Sequence, residues 1–164
     1  MTDPDDEIIE EPEDADQEDG PEDFFIDILT GAKQKPSPKK LLVQKVLRQL
    51  IESYGFDRAD IELDYRHGIR GGRPNKIDVA IFRPGEEHTN ENLQRIIVCK
   101  PQRARDKLRS VEEADADLAP LKALLELIPG ASLGMWTNGQ EEFLFQVERT
   151  RFEVVPKPLG VWPV

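Results

Sequence analysis

The chain has 164 residues, enough to bury one modest core, and 38% of them are hydrophobic, which fits a folded domain with tails. The formal charge of -11 is unevenly spread: residues 1–30 hold fourteen Asp and Glu and no Lys or Arg, so the remainder, with 22 basic and 19 acidic residues, is near +3. No apolar run has the length of a membrane span, a single cysteine excludes an internal disulfide, and no structural zinc site is expected because neither histidine lies near Cys99 at a ligand spacing. The acidic N-terminus and lone thiol point to a cytoplasmic protein, and His67 and His88 read as exposed loop residues.

Residues 1–22 form a low-complexity acidic run with Pro4, Pro12, Gly20 and Pro21, too polar to offset chain entropy, and are expected to be a disordered tail. Residues 23–36 are a short docking element around Phe24, Phe25, Ile26, Ile28 and Leu29, helix or strand, followed by a basic linker. Ser37-Pro38 opens a helix with Leu41, Leu42, Val46, Leu50 and Ile51 at helical spacing, ending before Gly55.

Ile61 to Tyr65 alternates as a half-buried strand, His67 to Pro74 is a glycine-rich turn, and Lys76 to Phe82 is the second strand. After a polar loop, Leu93 to Cys99 is a third strand buried on both faces. A helix spans Glu112 to Ile128, with Ala114, Leu118, Leu121, Leu125 and Ile128 on one stripe, and Pro120 predicts a start near Asp117 or a bend. Ser132 to Thr137 and Phe143 to Val147 are strands joined by a tight Asn138-Gly139 turn. The order αβββαββ gives an α/β domain over 37–150, a mixed β-sheet flanked by helices, and 151–164 is a proline-rich C-terminal extension.

Asp78 on one buried strand and Lys100 at the end of the next are most of a metal-dependent phosphodiesterase site. Such a site needs an acid to hold Mg²⁺, a second carboxylate to complete its coordination, and a lysine to orient the attacking water. Two residues before the lysine, where the second acid would share a strand face, stands Val98. Asp64 on the preceding strand is the leading substitute metal ligand, with Asp106, Glu112 and Glu113 as others. A cysteine nucleophile at Cys99 lacks a histidine partner, and its strand position makes it a small buried hydrophobe. Arg70, Arg73 and Lys76 line the glycine-rich turn, and Arg103, Arg105 and Lys107 follow Lys100, so both segments could contact duplex phosphates.

The anchors Ser37-Pro38 leading to Tyr54-Gly55-Phe56, Lys76 to Ile81, Val98-Cys99-Lys100-Pro101 and Gly134 to Gly139 resemble the N-terminal nuclease domain of the type I restriction enzyme R subunit. That family lies in the PD-(D/E)xK superfamily, and the resemblance covers roughly residues 37–147 by the element reading. It implies a restriction-endonuclease-like fold, Mg²⁺-dependent cleavage of double-stranded DNA, and other subunits of a restriction-modification complex as partners. It also implies catalytic roles for Asp78 and Lys100, with Asp78 on the metal. Sequence choice belongs to another subunit in such systems, and with no Gly-x-x-x-x-Gly-Lys-Ser/Thr loop here, any ATP use is expected to lie elsewhere.

Five positions depart from the family pattern. Lys39 and Lys40 stand where glutamates begin the first helix, Val98 replaces the strand glutamate, and Pro120 and Leu124 occupy a Gln and a Tyr position. A lone carboxylate would hold Mg²⁺ weakly, and a nearby lysine, Lys40 in this reading, would repel it further. Two functions follow: a weak or silent nuclease, or a non-catalytic DNA- or protein-binding module in which Asp78 and Lys100 persist as an ion pair or as capped strand ends.

Overall fold

A computed structural model of the chain describes residues 23–70, 75–150 and 153–163. The acidic run at 1–22 and the glycine-rich turn residues 71–74, Arg73 among them, lie outside the described residues. The chain divides into two units, Met1–Ser37 and Pro38–Val164.

In the first unit the docking element is a small hairpin: β1 (Phe25–Ile26) pairs antiparallel with β2 (Lys33–Gln34). Its turn is organised by Asp27, whose Oδ1 accepts from the backbone N–H of Leu29 at 2.8 Å, an Asx turn, while Gly31 takes a positive φ of 78°.

The second unit opens with α1 (Pro38–Arg48), which runs into a π-helical turn, Gln49–Ser53. Proline fits the first helical position because its missing N–H has no intrahelical partner there. The buried stripe is Leu42, Val46, Leu47 and Leu50; Leu41, expected inside, is 51% exposed, because it lies one position around the helix from that stripe.

Six strands follow in one mixed sheet: β3 (Ile61–Arg66), β4 (Lys76–Phe82), β5 (Leu93–Cys99), β6 (Leu133–Thr137), β7 (Glu142–Arg149) and β8 (Val154–Leu159), neighbours in that order. Only β5 and β6 are parallel, joined through α2 (Asp115–Leu127), and the other pairs are antiparallel. This is the mixed α/β architecture that the pattern of periodicities predicts, compatible with a restriction-endonuclease-like fold.

The main core lies between α2 and one sheet face, where Leu118, Leu121, Leu125 and Ile128 pack with Ala80, Phe82, Ile96, Trp136 and Phe145. Gly134 lets the helix approach closely, since a Cβ there would stand 2.7 Å from Leu125 Cδ1. The alternate row, Val79, Ile97, Met135 and Leu144, is in register across four strands and also buried, so these strands lack a simple apolar–polar alternation.

A reciprocal pair precedes α2: Ser110 N donates to Glu113 Oε1 at 2.8 Å, and Glu113 N to Ser110 Oγ at 3.2 Å. That pair closes the turn ahead of the helix, which itself starts at Asp115, and Pro120 lies within it on the exposed side. At its C-terminal end Arg149 Nη2 donates to the carbonyls of Leu125, Ile128 and Ala131, a cationic cap on the last turn.

The C-terminal stretch contributes more than an extension. Its strand β8 is an edge, the one place in a sheet that tolerates Pro156 and Pro158, which have no N–H to donate. Beyond it Trp162 is buried, donates from Nε1 to Gly134 O at 3.1 Å, and stacks on the guanidinium of Arg95, 4.9 Å away. Phe56 stands 4.8 Å from the same guanidinium, so a buried arginine on β5 rests among aromatic faces.

The histidines depart from the exposed-loop expectation. His67 is buried, its Nδ1 accepting from the backbone N–H of Ile69 at 3.0 Å, and His88 stacks on Phe82 at 4.1 Å while contacting Glu62 and the Ala59 carbonyl. The contacts of His88 cross to residues twenty-six and twenty-nine positions away, which sequence distance does not reveal.

Candidate functional site

Asp78 lies on β4 next to Val79, whose partner across the ladder is Ile97, so the next positions along the two strands are Asp78 and Val98. The side chain of Val98 packs against the main core and supplies no oxygen. Both carboxylate oxygens of Asp78 are engaged: Oδ2 accepts from the backbone N–H of Cys99 at 2.9 Å, and Oδ1 lies 2.8 Å from Lys39 Nζ. Lys39 is the second residue of α1, so the first turn of that helix delivers a cation to the carboxylate. Lys39 is the lysine that meets the Asp78 carboxylate.

Lys100 does not pair with Asp78. Its backbone N–H donates to Thr137 O at 3.0 Å, prolonging the parallel ladder, and its Nζ lies 3.2 Å from Asp117 Oδ1 on α2. The two sequence-predicted catalytic side chains are therefore held by two different helices. Asp64 stands between the Leu63↔Val79 and Tyr65↔Ile77 pairs, facing Asp78 along the ladder, but has a left-handed φ of 53° and is not itself paired. Its carboxylate is largely in solvent and 3.3 Å from Lys76 Nζ.

These donors do not fit a resident Mg²⁺, which demands near-octahedral oxygen coordination with anionic ligands. Asp78 is matched to an ammonium and an amide, Asp64 to Lys76, and Val98 offers nothing. Among the described residues no group of three His, Cys, Asp or Glu could hold a metal ion. Cys99 is no nucleophile here: burial, and then the Asp78 charge, push its thiol up to about 12.

Beside Lys100 lies an ionic network with no signal in the sequence. Arg109 donates through Nε and Nη2 to Glu141, at 2.7 Å for the shorter contact, and through Nη1 to Asp117 at 2.8 Å, while its own backbone N–H reaches Glu141 Oε2 at 2.7 Å. Asn138 Nδ2 completes the shell of the buried Glu141. Hydrogen bonds from Arg109, then from Gln102, hold the Asp117 carboxyl down to about 2; Glu141 is lowered and Arg109 raised by the same contacts. The partners are eight and thirty-two residues apart, so local patterning cannot reveal them.

The network pins the loop after Lys100 to the β6–β7 turn. Gln140 adds a two-point clamp, accepting from Arg105 N at 2.8 Å and donating to Arg105 O at 2.7 Å. Of the cations expected to meet phosphate, Arg70, Arg103 and Lys107 are exposed and, among the described residues, make no ion pair. Arg105 is tied to Gln102 and stands 3.7 Å from Glu141, and Lys76 is tied to Asp64.

A mixed sheet with an α2 crossover, an aspartate on a central strand and a lysine at the end of its neighbour define an α/β domain compatible with the restriction-endonuclease-like class. The family model described as type I restriction enzyme R protein N terminus (HSDR_N) matches residues 40–157, and the chain belongs to that family. No curated protein and no solved structure matches the chain. No described helix is long and apolar enough to cross a membrane.

Proposed function

We propose that this domain is a non-cleaving member of its family, a nuclease fold that holds double-stranded DNA by its phosphates within a restriction-modification assembly. The observation that carries the reading is Val98, packed on the core at the ladder position next to Asp78, where a second carboxylate would complete a metal site. The Lys100 ammonium lies 3.2 Å from Asp117 on α2 and not on Asp78, which supports a site without the paired acid and lysine of a nuclease. Exposed Arg103 and Lys107, on a loop clamped at Arg105 and Arg109, offer fixed cations to a duplex backbone. DNA as partner implies a cytoplasmic place of action, and the other subunits of the assembly supply sequence choice and translocation.

The test combines cleavage and binding. Supercoiled plasmid incubated with the purified chain in Mg²⁺ or Mn²⁺ should remain intact. A labelled duplex should bind without sequence preference, with a salt dependence that Arg103→Ala/Lys107→Ala reduces by about 1.8 in log–log slope, at about 0.9 per lost phosphate contact. Metal-dependent nicking that disappears in Asp78→Ala would overturn the reading and establish a nuclease with Mg²⁺ held by a relocated acid. Nicking gained only in Val98→Glu would support it.

A further inference from the structure

We infer that Lys39 occupies the role a divalent ion has in a metal-dependent nuclease, bridging Asp78 to a backbone phosphate and giving the domain a metal-independent phosphodiester site. The inference rests on the proposed DNA-binding function and deepens it.

The geometry is that of a bridge with one end made. Cys99 N–H fixes Oδ2 of Asp78, and Oδ1 takes Lys39 Nζ at 2.8 Å. The aspartate side chain is 11% exposed and the lysine side chain 47%, so the lysine is the more exposed partner of the pair. An ammonium has three N–H donors, so its ion pair with Asp78 does not exhaust them.

The surroundings favour an anion at that lysine. Lys39 lies in the first turn of the eleven-residue helix α1, which contains no acidic residue and carries the positive end of the helix dipole. A site with two carboxylates repels phosphate until a metal neutralises it. Here Val98 removes one acid and Lys39 offsets the other, so no metal is required for a phosphate to approach. A lysine serving only to tie α1 to β4 would satisfy the same 2.8 Å contact, and the experiment separates the two roles.

Duplex binding by the full chain is followed by fluorescence anisotropy across a salt series, in EDTA and in Mg²⁺ at matched ionic strength. No gain in affinity from Mg²⁺ is expected. Lys39→Gln should lower the log–log salt slope by about 0.9, one phosphate contact, and Lys39→Arg should restore it. Asp78→Asn should tighten binding, because it frees the ammonium from its internal counter-ion without touching Lys39; this arm remains informative if Lys39→Gln fails to fold. A slope unchanged by Lys39→Gln, weaker binding in Asp78→Asn, or binding that requires Mg²⁺ would overturn the inference. If Arg103→Ala/Lys107→Ala still weakened binding in that case, the DNA-binding reading would survive, whereas no duplex binding under any condition would sink both.

Discussion

Replacing Glu141 by Gln removes a buried carboxylate that receives four donors, Arg109 Nε, Nη2 and backbone N together with Asn138 Nδ2, and leaves the guanidinium facing an amide. Breaking a buried pair by deleting one partner costs roughly 3–5 kcal/mol. Arg109 retains Asp117 at 2.8 Å, which places the expected loss at the lower end, about 3 kcal/mol. For a domain of this size that is a fall in Tm of about 10 °C. Urea and thermal melts would read the loss, and hydrogen exchange should show the loop after Lys100 opening faster, because its anchor to the β6–β7 turn is cut. A double-mutant cycle with Arg109→Met should show coupling of about 2 kcal/mol, the two single losses exceeding the double one. A single-mutant cost below about 1 kcal/mol with additive behaviour in the cycle would refute the view that this network holds the loop.

Three further outcomes are expected. Asp117 has a carboxyl depressed from 3.8 to about 2, so its contribution is fully present above the unfolded value and lost as pH falls from about 4 towards 2. That contribution is about 2 kcal/mol; the urea midpoint should drop across that interval in the native chain and much less in Asp117→Asn, and identical profiles would contradict the assignment. The Cys99 thiol, buried and shifted to about 12, should resist a thiol-reactive disulfide reagent at pH 8 until the chain is unfolded, and immediate labelling of the native protein would show the strand end to be open. Gly130→Ala would place a Cβ 2.9 Å from Glu91 O and 3.0 Å from Leu93 O, backbone atoms unable to swing aside, and should cost about 2 kcal/mol by denaturant melts. A neutral result there would mean that the α2–β6 connection yields easily.

Much of the fold was legible because its signals are local. Period-two and buried runs marked β4 and β5 to the residue, and the Pro38 start, the Leu118–Ile128 stripe and the Asn138-Gly139 turn marked both helices and the last predicted hairpin. Edge strand β8 escaped because two prolines in six residues argue against a strand unless one knows it is an edge, and edge status belongs to the assembled sheet. Leu41 was misplaced for a related reason: adjacent leucines on a helix look alike in sequence, and only the packed partner decides which one turns inward.

The candidate site divides in the same way. The sequence by itself determined that Asp78 lies on one strand with Lys100 at the end of the next and that Val98 stands where a second acid would share a face, since strand geometry fixes side-chain direction at a period of two. Which charges meet was decided only by the tertiary structure. Lys39 on Asp78, Lys100 on Asp117, and Arg109 between Glu141 and Asp117 are contacts between elements far apart along the chain. Their selection depends on where helix termini and turns come to rest once the core has packed, because long cations reach whichever acid the buried backbone brings within a few ångströms, and hydrophobic patterning carries no record of that distance.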